Sequence, residues 1–181
     1  MPRRVVLLHG TSSSGKTTLA RAIQRLSHEP WVRLGIDAVW NAIDERWMER
    51  GVRAAEGFAW MEDATIVPGP VGQRLAAGMR AAVAAFARAD NDVLVDDVFI
   101  DPGWLDAWRH ELGDVEWLLV RVEAPLQVLE ERERARGNRI VGEARSQVNV
   151  IHSGIEYEIT VDTSRQSPDE CARAILAALV R

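Results

Sequence analysis

The sequence predicts an α/β protein built on a parallel β-sheet. Three observations carry that expectation: five short β-rich runs, longer helical patterns between them, and a Gly/Ser loop joining the first run to the first helix. The β-rich runs fall at 4–9, 31–35, 92–98, 115–122 and 156–161. A helical pattern over 16–27 follows the first run, and another over 71–89 precedes the third. The patterns at 102–111 and 125–135 each open on a proline, which a first helical turn accepts. The last helix is expected to start near Ser167-Pro168 and run to the end. Between them, 51–72 is punctuated by Gly and Pro and holds two apolar runs, 58–61 and 65–67, suited to a hairpin. With 181 residues and no repeat or linker, one domain over 1–181 is expected, with an insertion at about 38–72 and a lid at about 132–148.

Composition narrows the function. Apolar residues make up 47% and charged residues 27%, as in an ordinary globular protein. A net charge of −5 argues against a nucleic-acid partner, which would need a concentrated basic face. No apolar run approaches membrane-spanning length, and Val5 to Leu8 is too short for a signal peptide, so no membrane partner is expected. The lone cysteine, Cys171, has no disulfide partner within the chain and suits a reducing compartment; the expected location is cytoplasmic. The oligomeric state is not legible from the sequence. Of 22 basic residues, 21 are arginine and the other is Lys16. A chain that uses arginine almost everywhere keeps one compact ammonium where a planar fork would not fit.

That lysine sits in Gly10-Thr11-Ser12-Ser13-Ser14-Gly15-Lys16-Thr17, which fits G-x-x-x-x-G-K-[ST] in its required strand–loop–helix setting. Backbone N–H groups of such a loop turn toward phosphate oxygens, and the helix N-terminus adds partial positive charge. Gly10 through Thr17, with Thr18 beside them, form the expected ATP site. Lys16 is expected on the outer phosphates and the Thr17 hydroxyl on Mg²⁺. The third run ends Val93-Leu94-Val95-Asp96-Asp97, a Walker B pattern that holds the metal directly or through water. Neighbouring side chains point to opposite faces, and Asp96 is favoured over Asp97 for the metal.

A phosphotransferase also needs a carboxylate near the acceptor hydroxyl. Asp37, just beyond the second strand, lies where parallel sheets open their ligand crevice; alternatively it caps the helix that follows. Arg132, Arg136 and Arg139, at the end of an Arg/Glu-rich helix, are candidates to cover the developing charge. Trp40, Ile43 and Trp47 recur at helical spacing after Asp37, and Trp60 and Met61 lie in the insertion; they fit either a core stripe or the wall of a substrate pocket. The histidines, His9, His28, His110 and His152, have no metal-ligand spacing and read as structural.

These residues resemble the chloramphenicol phosphotransferase family of P-loop kinases. Besides the loop at 10–17, the resemblance rests on Glu29-Pro30-Trp31, Gly35-Ile36-Asp37, Asp96-Asp97-Val98-Phe99, Ala135-Arg136-Gly137-Asn138-Arg139, His152-Ser153-Gly154-Ile155-Glu156-Tyr157 and Val161-Asp162-Thr163. It implies a three-layer fold, a five-stranded parallel sheet flanked by helices on both faces, that phosphorylates the antibiotic's hydroxyl with ATP. It implies Asp37 as general base, Lys16, Arg132 and Arg136 around the transferred phosphate, and Asp162-Thr163-Ser164 near the adenine. Asp37, Trp40, Trp60, Asp97 and Phe99 are the expected substrate-facing set. The stretch 38–69 departs from the family pattern, so the acceptor itself carries over less well than the chemistry. The competing expectations are a metabolic kinase of the shikimate or gluconate type and a non-catalytic nucleotide-binding module. A standard GTPase is disfavoured because no second lysine supplies its guanine-reading motif.

Overall fold

The computed structural model describes residues 5–101, 103–136 and 142–179. The central strand β1 (Val5–His9) is Val-Val-Leu-Leu-His, every residue buried, as a strand covered on both faces requires. It pairs in parallel with β6 (Asp92–Asp97) on one side and β7 (Trp117–Glu123) on the other. β2 (Trp31–Leu34) adds outside β6 and β8 (Ile159–Asp162) outside β7, again in parallel. The sheet order is β2-β6-β1-β7-β8.

Alternation along the strands divides the core in two. Val5, Leu7, Val93, Val95 and Leu119 pack toward α3 (Pro70–Arg88) and α4 (Trp104–Leu112), where Trp104 and Trp108 are fully enclosed. Val6, Leu8, Leu94, Val120 and Val161 pack on the other face toward α1 (Lys16–Leu26) and α7 (Pro168–Ala178). Period-two side-chain direction thus yields three layers from nearly continuous apolar strands. α7 starts where its sequence signals stand: Ser167 and Glu170 form a reciprocal capping box, with Pro168 in the first turn.

Two segments depart from expectation. The Trp40, Ile43, Trp47 spacing is not one helix. α2 (Ile36–Trp40) closes with Asn41 N–H donating to the Asp37 carbonyl. Asp44 then accepts from Arg46 N–H and starts a separate 3₁₀ turn at Glu45–Trp47. The Arg53 guanidinium lies 4.0 Å over the Trp47 ring. β8 begins at Ile159 rather than near 156, because Glu158 exchanges its N–H and its carboxylate with the backbone of Leu119 while Tyr157 turns inward.

The segment between α2 and α3 forms a second, three-stranded sheet. β4 (Phe58–Trp60) and β5 (Ile66–Pro68) make the expected antiparallel hairpin, and β3 (Met48–Glu49) pairs with β4 in parallel. α5 (Leu126–Arg136) contacts the short α6 (Glu143–Gln147). The Glu133 carboxylate, 1% exposed, accepts from the N–H groups of Gly142 and Ala144 at 2.7 and 3.1 Å and so fixes the start of α6.

Candidate active site

The loop from Gly10 to Thr17 leaves the C-terminal end of β1, and two glycines let it wrap. A Cβ at Gly10 would stand 2.2 Å from the Val122 carbonyl oxygen. Gly15 holds φ +92° immediately before α1, a left-handed turn that favours glycine. Lys16 Nζ donates to the carbonyls of Gly10 and Thr11, both at 2.7 Å, so the ammonium is drawn back over the loop. Buried hydroxyls of Thr11, Ser12, Ser13 and Ser14 find no hydrogen-bond partner among the described residues. Four such groups in one turn are matched by the oxygens of a polyphosphate.

At the neighbouring strand end, the Thr17 hydroxyl donates to Asp96 Oδ2 at 2.9 Å, and Arg33 approaches the same oxygen at 3.5 Å. Burial pushes the Asp96 carboxyl above the ordinary range, opposed by Thr17, Arg33 and Lys16. Asp97 is more deeply enclosed. One oxygen accepts from Val98 N–H at 2.8 Å, the other has no partner among the described residues, and burial pushes the group up to about 7. The two carboxylates therefore differ: Asp96 meets the P-loop threonine, and Asp97 is a desolvated neighbour.

Two cavities border this loop, and another adjoins the smaller of them. A narrow one of about 40 Å³ is bounded by Lys16, Thr17, Asp37, Asp96, Asp97 and Arg136, among others. A wide one of about 990 Å³ lies under the second sheet and is walled by Trp40, Trp60, Ile43, Met48 and several charged side chains. A third, of about 390 Å³, lies across the loop against Thr18, Arg132, Thr163 and Cys171. Asp37 and Trp40 border both the narrow and the wide cavity. Asp37 is no N-cap: α2 starts one residue earlier, with Gly35 in the capping position, and Asp37 stands in the first turn.

The expected arginines separate. Arg136 borders the narrow and the third cavity, whereas Arg132 borders only the third. The Arg132 guanidinium donates to Thr163 Oγ1 and to the Thr163 carbonyl at 2.9 and 2.8 Å, and Thr163 in turn donates to the Ser14 carbonyl. It clamps the loop after β8 to the P-loop. Arg139 lies outside the described residues.

Of the substrate-facing set, Trp40 and Trp60 stand edge to face at 5.3 Å. Phe99 borders none of the three cavities. It is 5% exposed and stacks on His9 at 4.0 Å, because the chain turns inward after Val98.

Several residues at the site carry no motif signal. Glu143, 3% exposed, accepts from Trp60 Nε1 at 2.7 Å and stands between the narrow and wide cavities. Gln147 Oε1 accepts from Ser12 N–H at 2.7 Å. Below the loop, the Tyr157 hydroxyl bridges His9 Nδ1 and His152 Nδ1, each at 2.7 Å. A hydroxyl donates once, so it donates to one imidazole and accepts from the other. Burial is the main cause that holds His9 well below its usual value and His152 down to about 4.

The geometry sets a P-loop cavity against a larger one, with the carboxylates of Asp37 and Glu143 on the border. A sequence model of the chloramphenicol phosphotransferase-like protein matches residues 3–180. The chain belongs to this family. Two relatives from Mycobacterium tuberculosis, strains CDC 1551 and H37Rv, provisionally named O-phosphotransferases, are 32% identical over 181 residues, covering 95% of this chain and 80% of theirs. Membership in the chloramphenicol phosphotransferase-like family makes this chain a small-molecule O-phosphotransferase. Among solved structures, an unliganded sugar kinase from Janibacter sp. superposes with a TM-score of 0.72 at 19% identity, covering 98% of this chain and 95% of that one. An APS kinase of Mycobacterium tuberculosis, solved with AMPPNP and APS, gives 0.69 at 18% identity over all of both chains. These likenesses establish the P-loop kinase fold.

Proposed function

We propose that this protein transfers the γ-phosphoryl group of ATP to a hydroxyl of an uncharged small molecule, with chloramphenicol or a similar antibiotic as the acceptor. The observation that carries the reading is the position of Asp37, on the border between the phosphate-side and acceptor-side cavities. There it accepts the hydroxyl proton as the acceptor oxygen bonds to phosphorus and the bond to the bridging oxygen of ADP breaks. Lys16 and Arg136 neutralise the transferring group, and Arg132 holds the loop that faces the nucleotide base. The third cavity, against Thr163, takes the adenine.

The residues present also suit Mg²⁺. A threonine hydroxyl already joined to a buried carboxylate is a hard oxygen donor pair of the kind this ion shares with phosphates. Thr17 and Asp96 would hold it, directly or through water, and its charge would offset that of the phosphates. The ATP requirement and the unpaired Cys171 suit a cytoplasmic enzyme; among the described residues no helix is long and apolar enough to cross a membrane.

Charge discriminates against the metabolic alternative. Among the described residues bordering the wide cavity, Asp37, Glu45, Glu49 and Glu143 face Arg46 and Arg50, and Arg46 is already held by Asp44. A carboxylated acceptor such as gluconate or shikimate would enter an excess of negative charge. Mass spectrometry of Mg·ATP reactions tests this. We expect one added phosphoryl group on chloramphenicol and none on the carboxylated polyols; phosphorylation of the carboxylated compounds alone would overturn the reading.

A further inference from the structure

Gln147 contributes a buried amide to the phosphate-side cavity that no motif announces. It ends α6, is 6% exposed, and borders the cavity also lined by Lys16, Asp37 and Arg136. Its amide orientation is decided by hydrogen-bond chemistry. Ser12 N–H can only donate, so the atom 2.7 Å away is the amide oxygen, and the NH₂ group occupies the other branch. No acceptor among the described residues takes that NH₂ group in a hydrogen bond of ordinary geometry. The helix beneath it is anchored at its first turn by Glu133, and Ser146 Oγ ties back to the Glu143 carbonyl at 2.9 Å. A side chain fixed at its oxygen and backed by an anchored helix is preorganised, which is what a donor aimed at developing charge needs.

We propose that Gln147 is a further catalytic residue: Ser12 N–H holds its oxygen so that Nε2 donates to an oxygen of the transferring phosphoryl group, beside Lys16 and Arg136. The proposal rests on phosphoryl transfer at this cavity. It assigns an unusual task to one P-loop amide, which orients a side chain rather than touching phosphate itself.

Two variants separate donation from shape and charge. Gln147→Glu keeps an oxygen for Ser12 N–H but removes the donor and adds a negative charge. Gln147→Met removes the donor without adding charge. Both are compared with the wild-type chain for thermal midpoint, for affinity toward Mg·ADP, and for affinity toward Mg·ADP with aluminium fluoride, a planar mimic of the phosphoryl group in flight. We expect a lower midpoint in Gln147→Met, which leaves Ser12 N–H without its acceptor, Mg·ADP affinity within about threefold in both, and binding of the aluminium fluoride complex weakened about a hundredfold in both, the usual scale for one lost transition-state donor. Turnover on any acceptor the wild type phosphorylates should fall by the same factor. Full retention by Gln147→Met would overturn the proposal, leaving only charge repulsion in Gln147→Glu. Tighter ATP binding by either variant with turnover intact would also overturn it, identifying Gln147 as a plug. Because the fluoride measurement needs no acceptor, a wild-type enzyme inactive on every acceptor would defeat the proposed function while still testing Gln147.

Discussion

Asp97 and Asp96 are chemically identical neighbours with different fates. β6 places Asp96 beside Thr17 and Arg33 and buries Asp97 with one oxygen unmatched among the described residues. The Asp97 carboxyl, pushed up to about 7, makes stability depend on pH in a definite direction. Below about pH 4 both folded and unfolded chains hold this proton, so the group contributes nothing. From there to about 7 the unfolded chain releases the proton first, and the folded state loses stability; above 7 the cost is complete. Asp97→Asn removes that cost. Thermal melts should show the variant gaining on the wild type as pH rises from 4 to 8, and a difference independent of pH would contradict this. At this scale the sequence is most legible where a residue type is obligatory. Lys16 stands out in a chain otherwise using arginine, and Asp37 and Asp96 sit at strand ends where ligands gather. Glu143 and Gln147 have no such signal. Their roles come from partners 83 and 135 residues away, Trp60 and Ser12, which no local pattern links.

Elements were legible in proportion to how far local rules decide them. α1, α3 and α7 begin where the loop glycine, Pro70 and the Ser167 capping box dictate. The tryptophan spacing after Asp37 misleads because a side chain overrides periodicity: Asp44 captures both the backbone and the guanidinium of Arg46 and starts a new turn. The start of α6 depends on a long-range device of the same kind. Glu133 accepts two backbone N–H groups with its two oxygens, and glutamine could serve only one of them. Glu133→Gln should therefore lower stability by about 1–3 kcal/mol, the cost of a buried donor left unmatched. Amide exchange should speed most over residues 142–147 in that variant. Uniform exchange throughout the chain would show that Glu133 does not anchor α6 specifically.

Across the whole molecule, the parallel sheet brings its working residues to one edge. The P-loop follows β1, α2 with Asp37 follows β2, the aspartate pair ends β6, and the Thr163 loop follows β8. That convergence follows from the topology, since parallel strands aim all their C-terminal ends the same way. The alternation of strands and helices made this much readable. The small second sheet was readable only as a hairpin, because the parallel pairing of β3 with β4 joins two residues to partners ten positions onward without a recognisable pattern. It is this sheet, with Trp40 and Glu143, that walls the wide cavity. On the proposed function, acceptor choice falls to the residues walling this cavity and phosphoryl transfer to the P-loop and the strand ends beside it.

As proposed, Asp37 acts as the base from the border of the two cavities. Single-turnover transfer from Mg·ATP to a productive acceptor, measured for wild type and Asp37→Asn with ATP affinity determined in parallel, tests it most directly. A fall of a hundredfold or more in the transfer rate, on the scale of a lost general base, with ATP affinity unchanged is the predicted result. Transfer by Asp37→Asn at near the wild-type rate would contradict the account.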